Sequence, residues 1–268
     1  MIRQPAVADR FYPGSKSELS RAVRELLPLR TGDVRARAIA AISPHAGYIY
    51  SGAVAAETLD AIQIPTTVVI LGLNHHGRGA PVALSRATWE MPMGQVSVNT
   101  GLCDLLLAAG SPFVHDEVAH RLEHSVEVQI PFLQMLQPGL TIVPIVLAHI
   151  SYQLCEEVGM TLARAIEAAS GDVLIVASSD MTHYESRESA SLKDKQALAQ
   201  IEQLNPRGLY DLIHARQISM CGVIPVTVAM IAARALGATT SRVVRYTDSG
   251  EVSGDTAQVV GYAGVVIS

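Results

Sequence analysis

Three apolar stretches of strand length each run straight into a turn that carries histidine. Ala36–Ile42 leads to Ser43-Pro44-His45-Ala46-Gly47-Tyr48, and Thr67–Leu73 leads to Asn74-His75-His76-Gly77. Asp172–Ala177 leads to Ser178-Ser179-Asp180-Met181-Thr182-His183. Short, nearly unbroken apolar runs suit parallel strands that are covered on both faces. In an open α/β sheet, ligands bind beyond the carboxyl ends of the strands, because the following loops converge there. Imidazoles and a carboxylate from three such ends would make a metal or acid/base site.

Between these runs lie segments of helical pattern, so strands and helices alternate along the chain. Residues 15–28 open with Ser15-x-x-Glu18, a capping-box pattern, and place Leu19, Ala22, Val23, Leu26 and Leu27 on one face. Arg30–Arg37 reads as a polar linker, and Gly52–Ile62 as an Ala-rich packed helix ended by Ile64-Pro65. Pro81–Val98 is expected to hold two short β pieces around Met91-Pro92-Met93-Gly94, as an antiparallel excursion. Further helices are expected over 101–109, 125–136 (kinked or shortened by Pro131), 152–169, 188–204, 206–214 and 222–236. Further strands are expected over 141–147, 242–246 and 256–267. No Gly/Ser/Pro-rich linker divides the chain. The expectation is one domain over 1–268, α/β in class, with a three-layer α/β/α architecture.

Composition narrows the class of function. The 268 residues are 49% apolar but include three Phe and one Trp, so Val, Ile, Leu and Ala must fill the interior. A net charge of −5 speaks against a nucleic-acid partner. No apolar run approaches the ~18 residues needed to cross a bilayer, and the first residues lack the apolar region of a leader. Cys103, Cys155 and Cys221 are odd in number and lack metal-type spacing, so a reducing cytoplasm is the expected location.

His45 follows a strand, between a Pro44 that fixes φ and a Gly47 that would let the backbone approach a ligand. His75 and His76 are neighbours, so in an extended turn they point to opposite sides; one can coordinate while the other holds substrate or a backbone carbonyl. Position alone does not choose between them. Asp180 and His183 would share one face of a helical turn, where a carboxylate can orient an imidazole as a general base. Glu123 and His124 precede a helix that Ser125 would cap, with Glu127 favouring its dipole; a place at the rim of the site is the other reading. Cys221 falls at the expected start of the helix over 222–236, a position that lowers a thiol's pKa and produces a metal-binding thiolate. Cys103 and Cys155 read as packing residues, and His115, His120, His149 and His214 as structural or surface groups. There is no Walker A sequence, no Rossmann fingerprint and no Gly-x-Ser-x-Gly elbow, which leaves metal chemistry as the leading class.

Six segments together resemble the Memo family: Arg10-Phe11-Tyr12-Pro13, Pro44-His45-Ala46-Gly47-Tyr48, Leu71-Gly72-x-Asn74-His75-His76, Glu123-His124-Ser125-x-Glu127, Ser178-Ser179-Asp180-x-x-His183 and Cys221-Gly222. They occur in the family's order and span essentially the whole chain. The resemblance implies a fold similar to the LigB-type class III extradiol dioxygenases, which hold non-haem Fe(II) with two His and a carboxylate and use a further His as acid/base. In Memo proteins the corresponding cleft has two His and a Cys. Carried over, His45, His75 and Cys221 become the metal ligands. Asp180 and His183 become the catalytic pair, with His76, Glu123, His124 and Tyr48 as binding residues. The implied cofactor is Fe(II) or Cu, with Zn compatible. The chain is similar to the Memo component of the AmmeMemoRadiSam system, which implies a radical-SAM protein and an AMMECR-type protein as partners. Two departures stand out. Cys221 replaces the dioxygenase carboxylate with a softer and oxidisable thiolate. Val223-Ile224-Pro225 follows where animal members carry basic residues, so their phosphotyrosine-peptide binding does not carry over. The expected function is that of a metal-binding redox protein acting on a small molecule or peptide. A non-catalytic binding module and a metal-assisted hydrolase are the alternatives.

Overall fold

Alternation of side chains along the apolar strands builds two cores back to back, one on each face of a single large sheet. The structure is a computed structural model that describes residues 1–28 and 35–268. Residues 30–34 of the expected polar linker lie outside the described residues. In chain order the strands are β1 (Ile2–Arg3), β2 (Ala40–Ser43), β3 (Thr67–Leu73), β4 (Val82–Leu84), β5 (Thr88–Trp89) and β6 (Ser97–Val98). They continue with β7 (Val114–His115), β8 (Thr141–Leu147), β9 (Val173–Ser178), β10 (His183–Glu185), β11 (Ser241–Asp248) and β12 (Val259–Ile267). The helices are α1 (Lys16–Leu26), α2 (Tyr48–Asp60), α3 (Thr100–Ala108), α4 (Ile130–Leu136), α5 (Tyr152–Ala168), α6 (Arg187–Glu202), α7 (Pro206–Arg216), α8 (Val223–Ala235) and the single turn α9 (Gly250–Ser253).

The main sheet runs β10-β12-β2-β9-β3-β8-β4-β7, with β11 added on β12 and β6 on β8. Its centre, β2-β9-β3-β8, is parallel throughout, and β12 and β4 flank it antiparallel. Ala40, Ile42, Val69, Leu71, Val143, Ile145, Ile175 and Ala177 face one core, which holds residues of α3, α5, α6, α7 and α8. Ala41, Val68, Ile70, Ile142, Leu174 and Val176 face the other, with residues of α1, α2 and α4. Period-two alternation inside apolar runs is what a sheet covered on both faces requires. The α/β class with a mixed, centrally parallel sheet is therefore as expected, and no helix among the described residues is long and apolar enough to cross a membrane.

Several boundaries shift for identifiable reasons. Pro131 shortens rather than kinks the helix expected over 125–136: it sits in the first turn of α4, where its missing N–H is harmless, after a 3₁₀ turn at Glu127–Gln129. The excursion over 81–98 is only partly antiparallel: β4 is antiparallel to β8, whereas β6 runs parallel to β8 and β5 parallel to β1. Helix α2 starts at Tyr48 rather than Gly52, with Gly47 as its N-cap. A Cβ at Gly47 would meet the Phe11 backbone at an ordinary 3.7 Å, so packing within the chain does not require glycine there.

The amino-terminal segment straps down the stretch that carries Glu123 and His124. Arg3 donates from Nε to His120 O (3.1 Å) and from Nη2 to Glu123 O (2.6 Å), pairs through Nη1 with Glu127, and lies 4.2 Å over the Trp89 ring. Glu127, fully buried, also accepts from Ala6 N (2.8 Å), Val7 N (3.1 Å) and the Tyr12 hydroxyl. A buried carboxylate survives only when its lone pairs are filled, and here four donors fill them. Removing it strands a buried guanidinium. Glu127→Ala is expected to cost about 3–5 kcal/mol in denaturant unfolding, and a loss below ~1 kcal/mol would refute the strap.

His120 shows what burial does to a histidine outside the site. It is fully buried, donates from Nε2 to Ala83 O (3.1 Å), and its pKa is pushed down to about 4, chiefly by burial. The unfolded chain protonates it near 6.5, so stability is lost as pH falls from there towards 4. A smaller drop in unfolding midpoint between pH 7 and pH 4.5 is expected in His120→Gln than in the parent; equal drops would contradict it.

Candidate metal centre

The parallel pairing of β2, β9 and β3 sets three strand ends side by side, with Ser43 opposite Ser178 and Leu71 opposite Ala177. His45, Asp180 and His75 follow those ends, as the sequence pattern anticipates. The His45 N–H donates to Asp180 Oδ1 (2.7 Å), and its ring Nδ1 lies 2.9 Å from Ser178 Oγ. Ser178 already donates its hydroxyl hydrogen to Ser125 O (2.6 Å) and accepts from Gln129 Nε2 (2.9 Å). Its oxygen can therefore only accept from His45, which assigns the proton to Nδ1 and the free lone pair to Nε2. That Nε2 faces Cys221 Sγ at 3.3 Å.

His75 is oriented by a different device. Its backbone N–H donates to Glu123 Oε2 (2.8 Å) and its Nδ1 to Glu123 Oε1 (2.9 Å). The same Oε1 accepts from His124 N (2.9 Å) and Ser125 N (2.8 Å). Burial alone would raise the Glu123 carboxyl, but the hydrogen bond from His75, the adjoining imidazoles and the backbone donors hold it far below the usual carboxylate range. An ionised carboxylate only accepts, so His75 too carries its proton on Nδ1 and offers Nε2. A histidine that donates its second N–H to a carboxylate is the usual arrangement behind a metal ligand.

The ligand atoms of His45, His75 and Cys221 all lie within 4.8 Å of one another. His75, Glu123 and His124 form a second such group, but the four donors on Glu123 already occupy its oxygens. The structure thus brings His75 rather than His76 to the centre. His76 is exposed, and its Nε2 meets Leu122 O at 3.0 Å. His124 packs its ring on His75 (4.6 Å between centroids) and edge-on to His45 (5.4 Å). Burial holds the pKa of His124 down to about 4 and that of His45 well below the ordinary value, so these two imidazoles are neutral near pH 7.

Cys221 departs from expectation in one respect. It precedes α8, but burial, reinforced by the nearby Asp180 charge, raises its thiol pKa; the helix start does not make it a ready thiolate. Its Sγ accepts from Asp180 N (3.3 Å). Gly222 is what lets this turn approach the end of β9, since a Cβ there would sit 2.4 Å from the Ser179 Cβ and 2.5 Å from Ser178 O. Gly72 plays the same part across the cleft, where a Cβ would lie 2.5 Å from Ser125 Oγ.

Asp180 and His183 do not sit on a helical turn, because residues 179–182 are a loop and β10 begins at His183. His183 is oriented by Ser219 instead: its Nδ1 meets Ser219 O at 2.9 Å and its N–H donates to Ser219 Oγ (2.8 Å). A carbonyl can only accept, so His183 also keeps its Nε2 lone pair free. Ser125 does not cap a helix; its hydroxyl spans Leu73, accepting from N (3.1 Å) and donating to O (3.2 Å). Tyr48 is buried, donates its hydroxyl to Val128 O (2.8 Å) and stacks on Phe132, so its polar atom is taken up within the core. Sequence reading gave no task to Ser178, Gln129 and Ser219. Ser178 was inside a quoted motif, but only the three-dimensional hydrogen-bond set reveals what these three orient.

Comparison with known proteins places the chain in a family. The model of a family described as "Memo-like protein" matches residues 3–266. A MEMO1 family protein of Methanosarcina mazei is 40% identical over 271 residues, covering 99% of both chains. Another, from Aquifex aeolicus, is 41% identical over 269 residues, covering 99% of this chain and 98% of the relative. Among solved structures, an uncharacterized protein of Escherichia coli K12 shares the fold at 13% identity, with a TM-score of 0.60, covering 87% of this chain and 100% of the other. With a match that runs almost from end to end and relatives at this level of identity, the chain belongs to the Memo-like family.

Proposed function

We propose that the chain binds one transition-metal ion through His45 Nε2, His75 Nε2 and Cys221 Sγ and acts as a metal-dependent redox protein. The observation that carries this reading is the assignment of both protons. Ser178 and Glu123 take the two Nδ1–H groups, and the two freed Nε2 lone pairs lie within 4.8 Å of a thiol. Two imidazoles and a thiolate suit iron, copper or zinc, and a redox role selects iron or copper. A bound metal would supply Lewis acidity and electron exchange. The residues around it have separate tasks. Glu123 and Ser178 keep the imidazoles in one tautomer. Asp180 anchors the His45 turn through its N–H. His183 presents an unprotonated Nε2 that can take a proton from a substrate hydroxyl or amine held in the cleft. Coordination requires Cys221 to give up its proton, so binding releases one proton to solvent. A thiol in this position fits a reducing, cytoplasmic setting.

Anaerobically purified protein is expected to hold about one metal per chain by elemental analysis, and His45→Ala, His75→Ala and Cys221→Ala each to lose most of it. Retention of metal in all three variants would refute the ligand set. Glu123→Gln keeps one acceptor oxygen for part of the donor set but loses the charge behind His75. It is expected to weaken metal affinity by roughly 10–100-fold in competition with a chromogenic chelator. An affinity unchanged in Glu123→Gln would separate Glu123 from the centre.

A further inference from the structure

Beyond Cys221 the cleft holds groups for which the metal reading has no task. Tyr262 is 2% exposed, and among the described residues its hydroxyl has no hydrogen-bond partner. Strand pairing locates it: Val265 lies opposite Ile42 in the antiparallel β12/β2 ladder, and following that register brings Tyr262 level with His45. Its neighbour Gly261 accepts from Met181 N (2.8 Å) and donates to Thr182 O (2.8 Å), which ties Tyr262 to the turn between Asp180 and His183. Gly264 shares its face of the strand, and a Cβ there would run into Thr58 and Val54 of α2. Tyr262 therefore points under the amino-terminal part of α2, where Tyr50 is 40% exposed.

The charges and rings on this side have one character. Asp180 is 4% exposed, and no lysine or arginine among the described residues pairs with it. Asp180, Tyr50, Asp248 and Tyr184 lie within electrostatic reach of Tyr262. Asp248 is satisfied by Arg187 through two 2.7 Å bonds, which leaves Asp180 as the carboxylate with no lysine or arginine paired to it among the described residues. Tyr184 is 75% exposed and holds a left-handed φ of 58°, a strained state for a bulky residue and one that clusters at functional sites. It adjoins His183, whose Nε2 carries a lone pair. Asp180 and Tyr262 thus lie on adjoining segments, tied by the Gly261 hydrogen bonds, and no lysine or arginine among the described residues forms an ion pair with the carboxylate. A positively charged nitrogen is what such a set recognises.

We propose that this part of the cleft is a subsite for the primary ammonium group of an aromatic or similarly flat organic ligand. Asp180 takes its charge, Tyr262 and His183 Nε2 take its hydrogens, and Tyr50 and Tyr184 flank it with their rings. The subsite shares its cleft with the proposed metal centre and extends that reading to a substrate class, but it uses no metal. Asp180 also anchors the His45 N–H, so the informative substitution is Asp180→Asn, which keeps the Oδ1 acceptor and removes the charge.

The test is calorimetric titration of the full chain with benzylamine, benzyl alcohol and benzoate near pH 7.5, as purified and again after chelation. Benzylamine is expected to bind at least ~10-fold more tightly than benzyl alcohol in both preparations, with no measurable benzoate binding. Asp180→Asn is expected to bring amine and alcohol within about 2-fold, and Tyr262→Phe to weaken the amine by at least ~3-fold. Should Asp180→Asn lose its folded circular-dichroism spectrum, Tyr262→Phe and Tyr184→Ala decide, each with a loss of at least ~3-fold expected. Benzoate binding as well as benzylamine, no binding of any of the three, or an amine preference that survives in a folded Asp180→Asn would overturn the subsite. Amine binding that disappears on chelation would also overturn it, by assigning the nitrogen to the metal. Failure of the metal assay alone would leave the subsite intact.

Discussion

The parallel register of β9 between β2 and β3 is the constraint on which the rest of the site depends. Ser43 lies opposite Ser178 and Leu71 opposite Ala177, so the three strands end within a residue or two of one another. A slip of one residue would turn each strand's side chains to the opposite face. Ala177 would then leave its core, and Ser178 would no longer meet the His45 ring. Because both faces of these strands are buried, the hydrophobic pattern that stabilises the sheet also sets the site's geometry. Core and centre are specified by the same pairing.

Two buried glutamates four residues apart divide the remaining work. Glu127 gathers Arg3, two backbone N–H groups and Tyr12, and so ties the amino-terminal strap to the segment that carries the cleft wall. Glu123 gathers the His75 ring, the His75 N–H and two further backbone donors, and so orients a histidine. Both are fully buried and both are saturated with donors. An unpaired buried carboxylate would protonate or unfold its surroundings, so saturation is a condition for either role. The Arg3 guanidinium couples the two, since it pairs with the Glu127 side chain and donates to the Glu123 carbonyl. Damage to the strap therefore reaches His75 through only one further hydrogen-bonded residue.

How much of this can be read from sequence follows from the range of each interaction. Thr67–Leu73 and Thr141–Leu147 are legible to the residue, because unbroken apolar runs of seven have few other uses in a protein of this size. The histidine-bearing turns are legible because they directly follow such runs. The choice of His75 over His76 is not, since it turns on Glu123, 48 residues away. Nor is the real partner of His183: Asp180 is close in sequence, yet Ser219, 36 residues on, takes the ring. Ser125 misleads in the same way, looking like a helix cap while its hydroxyl is drawn to the Leu73 backbone across the cleft. Short-range patterns announce the elements, and long-range hydrogen bonds decide what each polar side chain does.

The pairing of His45 with Cys221 has a consequence for how a metal would enter. With the proton of His45 committed to Ser178, the Nε2 lone pair faces a thiol that burial keeps protonated. The thiol's nearest acceptor is that lone pair at 3.3 Å, ahead of Asp180 O at 3.7 Å. The two side chains therefore hold each other through an S–H···N contact. Coordination on the proposed ligand set would replace that contact and release the proton, with Ser178 and Glu123 still holding the imidazoles. Ligands already facing one another need little reorganisation, so the main cost of binding is deprotonation of a single thiol. That cost falls as pH rises, which makes proton activity the natural control on occupancy of such a centre.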